Sequence, residues 1–241
     1  TTTVTTTATD ASGNAAQGTF TVTVRDTTAP VVTAPANQTL EATSAAGATA
    51  TFAATATDAV GPVTFSATPA SGSTFALGTT TVTVTATDAY TNAASTTFTV
   101  TVKDTTAPAL TLPANQILEA TSAAGAVATF AASATDAVTA SPALTYSKAS
   151  GSTFALGINT VTVTATDAAG NAKSGSFTIT VRDTTAPAPT ASLVNISKGG
   201  DDESSQFFRV VFAATDKVGV TALTATLNGV TVTNGQIVQL Q

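Results

Sequence analysis

The sequence contains no histidine, cysteine, methionine or tryptophan among its 241 residues. The absence of cysteine excludes disulfides, zinc–thiolate sites and thiol nucleophiles, and the absence of histidine removes the commonest general base. The serines of Ser71-Gly72-Ser73 and Ser150-Gly151-Ser152 have no base to activate them, so we interpret both segments as turns. We therefore expect that the chain is not an enzyme and that any metal it binds is a hard cation held by oxygen.

Charge is also scarce. Charged residues make up 9% of the sequence, against about 25% in an ordinary globular protein. The net charge of −6 and the pI of about 4.3 exclude the basic footprint of a nucleic-acid-binding protein. No apolar run approaches about 18 residues and no basic amphipathic segment is present, so we expect no membrane insertion in this segment.

The few charges that remain recur at a fixed spacing. The pentapeptide Asp-Thr-Thr-Ala-Pro begins at Asp26, Asp104 and Asp183, at intervals of 78 and 79 residues. The other acids that recur in step with it are Glu41 and Glu119, Asp58 and Asp136, and Asp88 and Asp167. Such self-similarity marks a tandem array. It predicts domains at 26–103 and 104–182, the last strands of an incomplete domain at 1–25, and a diverged, incomplete domain at 183–241.

The hydrophobic pattern alternates strictly between apolar residues and threonine. Thr81–Thr87 and Phe98–Val102 show this alternation, and Phe177–Val181 repeats it. A period of two with β-branched residues is typical of half-buried antiparallel strands. About seven short strands in each repeat, with 48–57 predicted as one continuous strand, indicate an all-β fold of tandem immunoglobulin-like β-sandwich domains. We expect these domains to form an elongated rod.

One segment of the repeat carries a family resemblance. It runs Gly72-Ser73-Thr74-Phe75-Ala76-Leu77-Gly78, continues through Thr-Val-Thr-Val-Thr-Ala-Thr-Asp-Ala to Asn92, and is followed by Phe-Thr-Val-Thr-Val. This pattern resembles the hyalin repeat (HYR) family over residues 1–182, and the remainder resembles a looser bacterial immunoglobulin-like domain. The resemblance implies an extracellular module with adhesion or stalk roles and no catalytic residues. Animal members usually carry a cysteine pair that this chain lacks, which points to a bacterial protein with another source of rigidity.

The recurring acids predict cation sites at the domain junctions. In an immunoglobulin-type sandwich, two loops lie at the pole where the chain enters, and the repeated glutamate lies at the opposite pole. The predicted central site therefore contains Glu41, Asp104, Asp136 and Asp167, with the Asn171 carbonyl as a helper; the preceding site contains Asp26, Asp58, Asp88 and Asn92, and the next contains Glu119, Asp183 and Asp216. The layout is similar to that of cadherins, in which adjoining domains share calcium. Ca²⁺ takes six to eight oxygen ligands and tolerates irregular geometry.

A purely structural interpretation of the same acids stays open. Aspartate and asparagine are ordinary turn residues, and Arg25, Lys103 and Arg182 directly precede the linker aspartates and are alternative partners for them. The glutamates favour ligation, because glutamate is a poor strand former and has no turn role. Outside the repeat, Asp201-Asp202-Glu203 is interpreted as a solvated loop, with an accessory cation site as its alternative.

Three functions follow from these observations. The preferred one is a non-enzymatic structural stalk of a bacterial cell-surface or secreted adhesin, stiffened by calcium and in contact with its neighbouring domains. The second is a subunit of an extracellular filament, in which residues 1–25 complete residues 183–241 of a like subunit by strand addition. The third is an accessory array attached to an extracellular enzyme, with carbohydrate as its ligand, for which Phe207-Phe208 is the only aromatic candidate.

Overall fold

The computed structural model describes residues 1–196 and 206–240, and every regular element in this part of the chain is a β-strand. The predicted loop Asp201-Asp202-Glu203 lies outside the described residues. The chain divides into two compact units, Thr1–Thr106 with Ala137–Ala140 and Ala107–Asp136 with Ser141–Gln241. Within the described residues, no helix has the length and apolar character needed to cross a membrane.

The first unit begins with a hairpin and continues with eight strands. The hairpin pairs β1 (Thr2–Thr9) with β2 (Ala15–Val22) in antiparallel register. The strands that follow are β3 (Val31–Thr33), β4 (Gln38–Glu41), β5 (Ala48–Thr49), β6 (Thr55–Thr57), β7 (Val63–Thr68), β8 (Thr74–Phe75), β9 (Gly78–Asp88) and β10 (Ala93–Lys103).

Four of these strands form the main sheet in the order β4-β10-β9-β7. Strand β4 runs parallel to β10, and the other neighbours are antiparallel. Strand β3 pairs with β6, and β5 pairs with β8. Alternate valines of β9 and β10, including Val82, Val84 and Val100, are at most 2% exposed and pack with Phe75 and Phe98. The threonines between them point to the opposite face of the sheet, because successive side chains of a strand alternate.

The predicted single strand over residues 48–57 is wrong, because the chain changes its pairing partner within it. Strand β5 pairs with β8, β6 pairs with β3, and residues 50–54 belong to no strand. Ser71 satisfies the backbone in this gap: its Oγ accepts the Phe52 N–H at 2.9 Å and donates to the Phe52 carbonyl at 2.9 Å. Ser71 thus replaces part of a strand ladder, since buried backbone groups need partners.

The second unit repeats this arrangement. Its strands are β11 (Ala109–Thr111), β12 (Gln116–Glu119), β13 (Ala126–Val127), β14 (Ser133–Thr135), β15 (Ala143–Tyr146), β16 (Thr153–Phe154), β17 (Gly157–Thr166) and β18 (Ala172–Arg182). The main sheet has the order β12-β18-β17-β15, and the pairs β11-β14 and β13-β16 form separate two-stranded sheets. Phe154, Val161, Val163 and Ile179 are buried at its centre. The predicted all-β fold of tandem immunoglobulin-like sandwich domains is confirmed.

The end of the second unit departs from the repeat. Strands β19 (Ala188–Asn195), β20 (Gln206–Thr215) and β23 (Ile237–Leu240) form one sheet, and β21 (Ala225–Leu227) pairs with β22 (Val230–Val232). Asn228 and Gly229 join β21 to β22 with φ values of 49° and 80°, as a type I′ hairpin turn requires. On β20 the alternation leaves Phe207 exposed and Phe208 half-buried.

Candidate metal site and linker contacts

The structure brings three predicted acids of the first unit together. Asp26 lies in the linker before β3, Asp58 directly follows β6, and Asp88 is the last residue of β9. One carboxylate oxygen from each lies within 4.8 Å of the other two. They meet because β3 pairs with β6 and β9 ends at the same pole of the domain.

Asp88 is held rigidly in this group. Its side chain is 6% exposed. Its Oδ1 accepts the Tyr90 N–H at 2.8 Å and the Asn92 N–H at 2.9 Å, and its Oδ2 accepts the Asn92 side-chain amide at 2.8 Å. Burial by itself raises the pKa of Asp88, but the hydrogen bonds from Asn92 and Tyr90 outweigh it, so the pKa lies below its usual value. The carboxyl group is therefore charged at neutral pH.

The structure gives Asn92, a predicted ligand, the role of a connector. Its amide Nδ2 donates both to Asp88 Oδ2 and, at 3.2 Å, to the backbone carbonyl of Asp26. Asn92 therefore ties the linker to the end of β9. Each oxygen of Asp88 keeps acceptor capacity in addition to these bonds.

The other two acids of the group have fewer partners. Asp58 Oδ1 accepts the Val60 N–H at 2.7 Å, and Asp26 Oδ1 accepts the Thr28 N–H at 3.0 Å. The second oxygen of Asp26, Oδ2, is buried and has no hydrogen-bond partner. The hydrogen bonds that the described structure gives Asp26 come from Thr28 and, at its backbone carbonyl, from Asn92, so the predicted alternative of Arg25 as its partner stays a prediction.

These residues fit a hard divalent cation. Three carboxylates that converge without a counter-charge repel one another, and a buried oxygen without a partner is costly. Oxygen-only donors with a charged carboxylate suit Ca²⁺ or Mg²⁺ and do not suit softer metals.

The equivalent acids of the second repeat fall into different units. Asp104, which is 8% exposed, belongs to the first unit, and Asp136 and Asp167 belong to the second. Asp167 is 7% exposed and repeats the geometry of Asp88, since its two oxygens accept the backbone and side-chain amides of Asn171, each at 2.8 Å. Burial raises the pKa of Asp167, but the hydrogen bonds, led by those from Asn171, outweigh this effect, so the pKa lies below its usual value.

The two predicted glutamate ligands bind threonines. Glu41 Oε1 accepts the Thr105 N–H at 2.9 Å and the Thr106 hydroxyl at 2.7 Å, and its Oε2 accepts the Thr105 hydroxyl at 2.6 Å. The hydroxyl of Thr105, followed by that of Thr106, lowers the pKa of Glu41 to about 2. Within the described part of the chain, Glu41 belongs to no group of three or more converging acids. The prediction that it joins the acids of the central junction is corrected accordingly.

Glu119 makes the same contacts one repeat later. Its Oε1 accepts the Thr184 N–H at 2.8 Å, the Thr185 hydroxyl at 2.9 Å and the Thr185 N–H at 3.1 Å, and its Oε2 accepts the Thr184 hydroxyl at 2.8 Å. The backbone N–H of Thr184, then its hydroxyl, lowers the pKa of Glu119 to about 2. The Thr-Thr pair of the pentapeptide is thus the binding partner of the repeated glutamate, which the sequence alone did not indicate, although both the pair and the glutamate recur in each repeat.

The predicted third cation site does not assemble. Asp183 Oδ1 accepts the Thr185 N–H at 3.2 Å, and Asp216 Oδ1 accepts the Val218 N–H at 2.7 Å, as turn-forming aspartates do. Together with Glu119 these acids form no converging group of three in the described residues. The Glu119 carboxylate is bound by the two linker threonines, and the sequence after Asp183 has no counterpart of Asp88 and Asp167 to complete a group of three aspartates.

Comparison with known proteins places the repeat. The sequence matches the HYR domain family over residues 25–102 and 103–181. The chain belongs to the HYR domain family. The resemblance identified from the sequence is therefore confirmed, and the three converging acids, the glutamate and the Thr-Thr pair are features of HYR domains in this chain.

Known relatives extend the comparison. The HYR chain is 36% identical over 243 residues to hyalin of Strongylocentrotus purpuratus, an alignment that covers 95% of this chain and 20% of hyalin. The chain therefore spans about a fifth of the length of this curated relative.

Three solved structures show some similarity to this HYR chain. They are mouse cadherin-23 EC22-24 (16% identity, TM-score 0.35, 78% of each chain), Drosophila N-cadherin EC1-4 (16%, 0.34, 66% of this chain and 50% of that chain) and fibronectin(III)-like modules of Clostridium thermocellum CbhA (17%, 0.28, 64% and 95%). At TM-scores below 0.5, none of them carries an argument about what the HYR domains bind.

Proposed function

We propose that this chain is a non-enzymatic stalk segment of an extracellular adhesion protein of bacterial origin, whose HYR domains are stabilised by calcium where the linker enters each domain. The observation that carries the proposal is the convergence of one carboxylate oxygen each from Asp26, Asp58 and Asp88, together with a buried Asp26 Oδ2 that has no hydrogen-bond partner. The membership of the HYR family and the relationship to hyalin support the extracellular adhesion role.

The calcium proposal concerns the linker because one of its three acids lies there. Asp26 precedes β3, whereas Asp58 directly follows β6 and Asp88 is the last residue of β9 in the folded domain. A cation held by all three would fix the linker to the domain and remove their mutual repulsion. With a dissociation constant of roughly 0.1 mM and about 1 mM free calcium, one site would add about 1.4 kcal/mol to the free energy of unfolding.

Calcium titration of the full chain tests this proposal. We expect isothermal calorimetry to detect binding and the melting temperature to rise with calcium. Asp26→Asn is expected to remove one bound ion. Asp10→Asn is the matched control, because Asp10 accepts hydrogen bonds from Ser12 and Asn14 as Asp88 does from its loop but belongs to no acidic group in the described residues. A melting profile that is the same in calcium and in excess chelator would contradict the proposal.

A filament subunit remains the second candidate, because the hairpin β1-β2 exposes an apolar face. Phe20 and Val22 are 55% and 44% exposed, whereas their repeat equivalents Phe98 and Val100 are 4% and 0% exposed. An apolar cleft of about 310 Å³ lies between β19, β20, β21 and β22. If copies of the chain exchange strands, sedimentation velocity will show association that grows with concentration and that Phe20→Ser abolishes; a monomer at every concentration excludes this candidate.

A further inference from the structure

A position on the edge strand of the main sheet differs between the two HYR domains. Ala67 of β7 pairs with Val84, and Tyr146 of β15 pairs with Val163. Both valines are the second valine of the repeated Thr-Val-Thr-Val-Thr-Ala-Thr segment, so Ala67 and Tyr146 are equivalent. Each of the two packs against the core of its own domain. The second domain therefore carries a phenol ring where the first domain carries a methyl group.

Tyr146 makes two kinds of contact in the second domain. Its ring centroid lies 5.6 Å from that of Phe130, with 50° between the ring planes. Its hydroxyl oxygen accepts the backbone N–H of Ala132 at 3.1 Å. Ala132 lies between β13 and β14, in a segment that belongs to no strand. The phenol thus supplies apolar contact and a hydrogen bond to a backbone group that has no strand partner.

The first domain has a cleft at the equivalent place. The cleft has a volume of about 290 Å³, and its walls include Phe52, Ala54, Phe65, Ala67 and Val84. The side chain of Phe65 is 49% exposed. Ala54 is the counterpart of Ala132, because Phe52-Ala53-Ala54 matches Phe130-Ala131-Ala132. No hydrogen bond to the Ala54 N–H is formed within the described residues. The cleft therefore combines aromatic walls with an available donor.

We propose that this cleft of the first HYR domain binds a phenol, the chemical group that Tyr146 supplies in the second domain. The bound ring packs against Phe52 and Phe65, and its hydroxyl oxygen accepts the Ala54 N–H. A volume of about 290 Å³ accommodates one substituted ring, since a cavity of about 150 Å³ holds benzene. The lining residues include none of the converging acids, so the site goes beyond the proposed calcium function and needs no ion.

Two physical effects favour a phenol over other small molecules. Aromatic rings attract one another in edge-to-face and offset arrangements, which favours a ring over an aliphatic group of equal volume. A backbone N–H that is covered by an apolar group loses its bond to water, so a ring without a hydroxyl leaves the Ala54 donor unsatisfied. The site should therefore discriminate p-cresol from toluene, which has the same shape apart from the hydroxyl.

NMR titration of the full chain with p-cresol, in chelator, tests this site. We expect saturable shifts of first-domain resonances, including the Ala54 amide. Toluene should bind roughly threefold to tenfold more weakly, because it lacks the hydrogen bond. The absence of saturable shifts with p-cresol would overturn the proposal. Equal affinities for p-cresol and toluene would also overturn it, as would equal shifts in both HYR domains, because Tyr146 already occupies the second position.

Exchange of the two equivalent residues supplies matched variants. Ala67→Tyr fills the cleft with a phenol of the protein itself, so p-cresol binding should be lost. Thr64→Tyr, on the opposite face of β7, is the control and should keep it. Tyr146→Ala should open the equivalent cleft, and p-cresol should then shift the Ala132 resonance. Binding that persists in Ala67→Tyr would contradict the proposed position, and the titration of the unmodified chain does not depend on any variant.

Two blocked peptides identify the source of the phenol. Gly-Tyr-Gly presents the ring on a backbone, and Gly-Phe-Gly lacks the hydroxyl. A preference of roughly threefold to tenfold for the tyrosine peptide would assign the site to a tyrosine side chain of a protein, and binding of p-cresol without either peptide would assign it to a free phenol. Both results support a phenol site. Absence of calcium binding would overturn only the proposed function, because these titrations are carried out without the ion.

Discussion

Gly47 allows a stability prediction that is specific to one tight contact. It lies in the turn that follows β4 and Glu41, with a φ of 109°. A Cβ added there would lie 1.9 Å from the Phe75 carbonyl oxygen and 2.8 Å from its carbon. Both atoms belong to the backbone, so the contact cannot be relieved by rotation of a side chain. Gly47→Ala therefore forces β8 away from β5.

The expected magnitude is the sum of three effects. A left-handed φ costs an alanine about 1–2 kcal/mol. Displacement of Phe75 weakens the short β5-β8 pairing, in which each hydrogen bond contributes about 0.5–1.5 kcal/mol. It also disturbs a ring that is 2% exposed, and complete loss of such a ring costs about 3–5 kcal/mol. We expect Gly47→Ala to destabilise the first HYR domain by about 3–5 kcal/mol.

Gly72→Ala is the matched control, because Gly72 has a φ of 86° and a Cβ added there would have nothing within 4 Å of it. It should cost only the conformational part, about 1–2 kcal/mol. Urea denaturation followed by NMR resonances of each domain keeps the two unfolding transitions separate. Gly125→Ala, with 1.8 Å to the Phe154 oxygen, should affect the second HYR domain in the same way. Equal effects of Gly47→Ala and Gly72→Ala would refute the steric reasoning.

Two further predictions concern the acids. The folded-state pKa of Glu41 is lowered from 4.5 to about 2, so its contact with Thr105 contributes stability that is full above pH 4.5 and is lost as the pH falls toward 2. The ¹³C chemical shift of the Glu41 carboxyl should therefore titrate with a midpoint near 2. A midpoint near 4.5 would contradict the contact. Asn92→Ala removes the amide that joins Asp88 to the Asp26 carbonyl. Loss of a residue that orients metal ligands typically lowers metal affinity roughly ten- to hundredfold, so calorimetry should show a decrease in calcium affinity of this size. An unchanged affinity would show that Asn92 does not position the acids.

The sequence is sufficient for features that follow from local alternation and chain order. Threonine–valine alternation predicts the strands β9 and β10, and the repeat spacing places Asp26, Asp58 and Asp88 at one pole. It is not sufficient for the segment 48–57, whose alternation continues across residues that belong to no strand. The break there is set by pairing with β8 and β3 and by the hydroxyl of Ser71, none of which is visible in the local pattern.

The roles of the glutamates are hidden from the sequence for a related reason. A recurring glutamate beside recurring aspartates suggests a single ligand set, because carboxylates share the same preference for cations. The competing donors are two threonines 64 and 65 residues away from Glu41, in a segment that the sequence presents only as a polar linker. A carboxylate can be stabilised either by hydrogen-bond donors or by a bound cation. The residue type alone does not show which of these two partners a glutamate has.

The division between aspartates and glutamates separates two ways of fixing a linker. Glu41 is satisfied by donors of the protein itself, so its contact is complete without an ion. Asp26 keeps a buried oxygen without a donor, yet its backbone carbonyl is already bound by Asn92. A cation at this position would therefore neutralise charge on a linker that hydrogen bonds have already placed, rather than gather the acids from separate positions. On this reasoning the proposed calcium ion would change the stability of the linker more than its path, because the hydrogen bond from Asn92 to the Asp26 carbonyl already fixes that path.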